Sequence, residues 1–199
     1  MRRLLILITF GLFLAVAYHD VSADDGQGKP TPGGTLKKSD NPLVAMNYGP
    51  APELTNEIWI NSDKPLRLKD LRGKVVLLEF WTFGCYNCQN TLPAMREFQE
   101  KYADKDLVII GDHYPEFSYE RDVENVKVAV KKAGIEYAVA IDNDGKVWAA
   151  YQQRYWPVMY LIDKQGDIRY KAIGEHDYTI TEQAIQALLS EELVLERQR

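Results

Sequence analysis

Cysteine is scarce in this chain: 199 residues hold two, Cys85 and Cys88. That excludes the multi-disulfide framework of small secreted scaffolds. Histidine is almost as thin, with His19, His113 and His176, so a zinc site of four soft ligands has little to draw on. Positive charge is not in excess either, since 24 Lys and Arg face 29 Asp and Glu for a net charge of −5, which disfavours nucleic acid as a partner. There is no internal repeat and no low-complexity tract after the first quarter of the chain. Long apolar runs are missing but for one, Leu4 to Ala17, interrupted by Thr9 and Gly11 and short for a membrane span.

That run has a function of its own. Arg2 and Arg3 precede it, and Val21-Ser22-Ala23 follows with small residues where a signal peptidase cuts, the three-part layout of a secretory signal. The expectation is a signal peptide over residues 1–23, an uncleaved membrane anchor being the alternative, and an exported, periplasmic or extracellular-facing domain in either case. Cleavage would take the formal charge from −5 to −6, because Arg2, Arg3 and Asp20 leave together. Residues 24–52, rich in Gly, Pro, Lys and Asp, read as a flexible tether, and residues 53–199 as one globular domain. With 46% hydrophobic residues the domain can build a core without a disulfide, and a monomer is expected.

Along the domain, Ile58-Trp59-Ile60 reads as a short strand, and Val75 to Trp81 as a central strand with apolar residues on both faces. Leu92, Met95, Phe98 and Tyr102 follow at helical spacing. Leu107 to Gly111 predicts a second buried strand, His113 to Phe117 a loop, and Asp122 to Ala133 a helix stopped by Gly134. Ala138 to Ile141 predicts a strand and Val147 to Arg154 a short helix. Val158 to Ile162 and Ile168 to Ile173 flank a Gly-containing turn as a hairpin. Thr179 and Glu182 form a capping box for a closing helix. The order predicts an α/β fold, a mixed sheet with helices on both faces and an αβ insert in its middle.

Cys85-Tyr86-Asn87-Cys88 falls between the central strand and the first helix. If Cys85 opens that helix, Cys88 lies on the same face three residues on, and unpaired backbone N–H groups at the helix start favour a thiolate. A structural staple would gain little, since closing so short a loop restrains the unfolded chain by only about 2 kcal/mol, against nearly 5 for a loop of roughly 100 residues. The pair reads as a redox switch. Glu79 sits inside the apolar strand, where burial raises a carboxyl's pKa and lets it exchange a proton with Cys88.

Phe80-Trp81-Thr82-Phe83-Gly84-Cys85-Tyr86-Asn87-Cys88, His113-Tyr114-Pro115-Glu116-Phe117 and Arg154-Tyr155-Trp156-Pro157 carry a resemblance to the thioredoxin-like superfamily over about residues 53–189. Within it the chain is similar to the exported TlpA and ResA type, and more narrowly to the thioredoxin-like domain of DipZ-type cytochrome c biogenesis proteins. The resemblance implies a thioredoxin-like fold, a buried acid at Glu79, a helix kink at Pro93 and a cis-proline at Trp156-Pro157. It also implies a redox-active Cys85-Cys88 disulfide in place of any cofactor, with Cys85 attacking and Cys88 resolving, and substrate contacts from Trp81, Tyr86, Asn87, Trp156 and Pro157. A protein disulfide is the implied substrate, a membrane-bound protein the implied electron donor, and reduction the implied direction.

Two other readings stay open in the sequence. His113 with the two cysteines matches the donor set of a Cu(I)-binding Sco-like metallochaperone. Thr82-Phe83-Gly84-Cys85 echoes the end of the peroxiredoxin Pro-x-x-x-Thr-x-x-Cys motif, with Leu78 in the proline position, as in a thiol peroxidase.

Overall fold

The computed structural model describes residues 35–194. The expected signal peptide and the first part of the expected tether lie outside the described residues. Among the described residues, no helix is long and apolar enough to cross a membrane.

The described residues start with β1 (Thr35–Lys37), a 3-10 turn at Pro42–Val44, β2 (Trp59–Ile60) and the central strand β3 (Val75–Trp81). Helix α1 (Tyr86–Tyr102), strand β4 (Leu107–His113), helix α2 (Val123–Lys132) and strand β5 (Ala138–Ile141) follow. Helix α3 (Lys146–Ala150), the hairpin of β6 (Val158–Ile162) and β7 (Ile168–Ile173), helix α4 (Tyr178–Leu189) and β8 (Glu192–Val194) complete it. Six strands form one sheet in the order β2-β5-β4-β3-β6-β7, with β3, β4 and β5 parallel and the other neighbours antiparallel. The fold class read from the sequence is the one observed.

Every residue of β3 is buried, which explains an apolar run broken only by Glu79: both faces are covered. Successive side chains alternate across the sheet. Val75, Leu77 and Trp81 therefore join α1, α2 and α4 residues such as Met95, Phe98, Val126 and Ile185 in one core. Val76, Leu78 and Phe80 join Val147, Tyr151, Leu54 and Leu68 in the other. Glu79, by the same alternation, points to the side of α1.

Four expectations change. Residues 38–52 are not a tether: Val44 is fully buried, and Tyr48 and Ala51 hydrogen-bond through their backbones to Ile168 and Gly166. The cause is distant in sequence. The guanidinium of Arg169, itself buried, donates to the carbonyls of Val44 and Met46 and pairs with Asp163 (2.9 Å) and Glu191 (3.2 Å), while Glu191 accepts from Ser39 N. β1 then pairs with β8, joining the two ends of the described chain.

The other three are local. β4 runs two residues further than expected, so Asp112 and His113 are strand residues in register with β5 rather than a loop start. Helix α3 spans five residues, its first turn held by Asp142, which accepts from Val147 N and Trp148 N, and its end marked by Gln152 at φ 52°. Helix α4 is capped by Asp177, which accepts from Thr179 N and Thr179 Oγ1, rather than by Thr179; a carboxylate two residues upstream outcompetes the hydroxyl.

Candidate active site

Cys85 is the N-cap residue of α1, at the point where the chain leaves the C-terminal end of β3. Its Sγ accepts the Cys88 backbone N–H at 3.2 Å, and Gln89 N bonds to its carbonyl. Sulfur thus takes the place that an oxygen holds in an ordinary helix cap, with the positive end of the helix beneath it. Both cysteines are free thiols here; Cys85 is partly exposed, and Cys88 is 1% exposed. Burial pushes the Cys88 thiol far above its ordinary range, helped by its hydrogen bond with Cys85 and opposed by one from the Thr82 backbone. Cys88 needs a base to ionise.

Glu79 is the carboxyl within electrostatic range. It is fully buried, and burial raises its pKa to about 8, against the lowering effect of a 2.6 Å hydrogen bond from Thr91 Oγ1. Its Oε2 has no protein partner. Both of its strand neighbours, Gly111 on β4 and Met159 on β6, lack a charge, so nothing beside it on the sheet favours the ionised form.

The Trp156-Pro157 peptide is cis. Trp156 stacks with Tyr114 (5.9 Å between centroids) and packs on Trp148 (4.5 Å), and half-buried Trp156 borders exposed Tyr155. Tyr86 is 76% exposed and Asn87 is exposed beside Cys85. Trp81, expected among the substrate contacts, is core instead, 2% exposed with its indole packed over Gly111 and edge-on to His113. The apolar face of β3 claims it.

His113 is also placed otherwise than expected. It is fully buried at the end of β4, its Nε2 3.2 Å from Thr82 Oγ1 and its ring stacked on Phe83 at 5.6 Å. Burial lowers its pKa to about 4. Among the described residues no three His, Cys, Asp or Glu side chains come together as a metal site, so the copper-ligand trio is not assembled.

Glu120 went unnoticed in the sequence. It is fully buried in a 3-10 turn, Ser118–Arg121, and its carboxylate accepts backbone N–H groups from Gly84, Glu116 and Phe117, each at 2.7 Å. The one available signal was an acid shortly after an aromatic-rich loop, which does not by itself mark a buried group. Another buried acid, Asp112 on β4, accepts from Asn56 Nδ2 at 3.1 Å and has its pKa raised well above the carboxylate range by burial and by Asp142.

The comparisons with known proteins agree with this geometry. Residues 49–171 match the family described as AhpC/TSA. Protein DipZ of Mycobacterium bovis is 40% identical over 156 residues, covering 77% of this chain and 22% of that protein. The thiol-disulfide oxidoreductase YkuV of Bacillus subtilis is 29% identical over 143 residues, covering 71% of this chain and 95% of that protein. A crystal structure of a thioredoxin-like superfamily protein superposes with a TM-score of 0.68 at 29% identity, covering 73% of this chain and 99% of that one. The chain spans about a fifth of the length of the first curated relatives it matches. With residues 49–171 matched and the six-stranded sheet superposing on a thioredoxin-like protein, the chain belongs to the AhpC/TSA family and has a thioredoxin-like fold.

Proposed function

We propose that this chain is an exported reductant of protein disulfides in which Cys85 attacks and Cys88 resolves. The observation that carries the reading is the unequal placement of the two sulfurs, one reachable at a helix N-terminus and one sealed beneath it near Glu79. The Cys85 thiolate attacks one sulfur of the substrate, forming a mixed disulfide and releasing the other sulfur as a thiolate that takes a proton from solvent. Ionised Glu79 then accepts the Cys88 proton. The Cys88 thiolate attacks Cys85 Sγ, the Cys85–Cys88 disulfide forms, and the bond from Cys85 to the substrate breaks, releasing a second thiolate that is protonated in turn. Two electrons have passed to the substrate, and a separate, membrane-bound protein is the donor that returns them.

Tyr86, Asn87, Trp156 and Pro157 serve as the substrate contacts in this reading. Export rests on the residue pattern of positions 1–23. The direction of electron flow and the substrate class, a disulfide of an apocytochrome or of another protein, rest on the resemblance of the cysteine motif to the DipZ and TlpA type. The test is the reduction potential of the Cys85-Cys88 pair against glutathione. A value of about −270 mV or below supports a reductant, and one near about −120 mV makes the protein an oxidant and overturns the assignment.

A further inference from the structure

Glu120 is a buried carboxylate with three backbone donors and, among the described residues, no ion-pair partner. Two of its bonds, to Glu116 N and Phe117 N, close its own turn. A turn needs no more than that. The third reaches 36 residues back to Gly84 N, the residue immediately before Cys85. Since a buried polar group is costly unless its hydrogen bonds are made, the bond to Gly84 is part of what keeps Glu120 inside.

Gly84 itself bears this out. It is not among the glycines with a left-handed backbone, so its conformation does not demand glycine. Space does: a Cβ at this position would collide with Glu120 Oε1 and come within 2.8 Å of Tyr119 Oη. The glycine of Thr82-Phe83-Gly84-Cys85 is therefore matched to the carboxylate pressed against it. The far end of the same loop is held less directly, by Cys85 N on Thr82 O at 3.3 Å and by Gln89 Nε2 on Phe83 O at 3.1 Å.

We propose that Glu120 is a positioning residue for the thiol-disulfide chemistry, pinning Gly84 so that Cys85 is held where Cys88 can close on it. The inference rests on the redox role of the pair given above. Closing the disulfide joins the two sulfurs, and against glutathione disulfide the two thiol hydrogens and two electrons pass to two glutathione thiols. The position of that equilibrium measures how well the protein pre-aligns its cysteines, because a slack loop costs effective concentration. Loss of the clamp disfavours the closed disulfide.

In Glu120→Gln an amide N–H₂ replaces one acceptor and faces a backbone donor, so at least one of the three bonds is lost. The expected result is a glutathione equilibrium shifted toward the dithiol by roughly 3- to 10-fold, which is about 15 to 30 mV. Gly84→Ala, which displaces the carboxylate from the other side, shifts it the same way and serves if the Gln variant does not fold. A merely structural role lowers the melting temperature and leaves the equilibrium where it was; that result, or a shift toward the disulfide, overturns the proposal. The wild-type protein separates the two ideas, since failure of its own cysteine pair to exchange with glutathione defeats the redox reading rather than the role of Glu120.

Discussion

Thr91 Oγ1 lies 2.6 Å from Glu79 Oε1 and 2.8 Å from the Cys88 carbonyl, yet a hydroxyl has one hydrogen to give. With Glu79 ionised, Thr91 serves one acceptor and leaves the other short. With Glu79 protonated on Oε1, the carboxyl can donate to Thr91 and Thr91 to the Cys88 carbonyl, so both contacts of the hydroxyl are kept. The hydroxyl thus ties the protonation of the buried acid to the first turn of the helix that carries the cysteines. As a donor to the carboxylate it lowers the Glu79 pKa, against burial, which still holds Glu79 at about 8.

The two cysteines have separable roles. Cys88→Ser leaves the attacking sulfur without its resolving partner and is expected to trap substrate proteins as mixed disulfides, whereas Cys85→Ser removes the reachable sulfur and traps none. Non-reducing gels of each variant incubated with an oxidised protein substrate read this out. Equal trapping by both variants, or by neither, counts against the assignment.

Glu79→Gln is expected to slow resolution of the mixed disulfide by about 100-fold or more, the ordinary contribution of a positioned base. In the wild type that step accelerates as pH rises through about 8, where Glu79 ionises; in the variant this rise is lost. Stopped-flow decay of a mixed disulfide between pH 6 and 9.5 checks it. Retention of the same pH midpoint by the Gln variant would assign the titration to another group.

Asp112→Asn is expected to stabilise the protein at neutral and alkaline pH. Burial and Asp142 raise the folded pKa of Asp112 above its unfolded value, so the folded state holds the proton more tightly. That stability is full below the unfolded pKa of about 4 and is lost as pH rises through the folded one. An amide carries no charge to desolvate and offers a donor to Asn56 Oδ1, which has no partner. Urea melts at pH 5 and pH 8 should show a gain of about 1–3 kcal/mol confined to the higher pH; a loss at pH 8 contradicts it.

Arg169→Ala removes the cation from Asp163 and Glu191 and the donors from Val44 and Met46. The expected cost is about 3–5 kcal/mol, that of leaving buried charges unpaired. Because the same side chain holds residues 44–46, protease cleavage within residues 38–52 should appear in native conditions. A variant that melts like the wild type and resists cleavage there would show that the N-terminal arm docks by other means.

The strands of the six-stranded sheet, the helices and the cysteine motif were legible in the sequence because each depends on near neighbours: apolar runs for β3 and β4, helical spacing for α1, a Gly-containing turn for the β6–β7 hairpin. β1 and β8, which pair only with each other, were not. Glu79 was legible for the same reason, as an acid inside a strand apolar on both sides of it. What escaped is what depends on residues far apart. The bond from Glu120 to Gly84 spans 36 residues and the contact of Arg169 with Val44 spans 125, and neither leaves a local pattern. Trp81 and His113 were identified by type, but whether each faces solvent or core follows from the alternation of strands packed on both sides and from where β4 ends. Local sequence determined the elements and placed the two cysteines at a strand-to-helix junction. Only the tertiary structure decided which groups are buried, and burial is the physical cause of the shifted Glu79, Cys88, Asp112 and His113 pKa values.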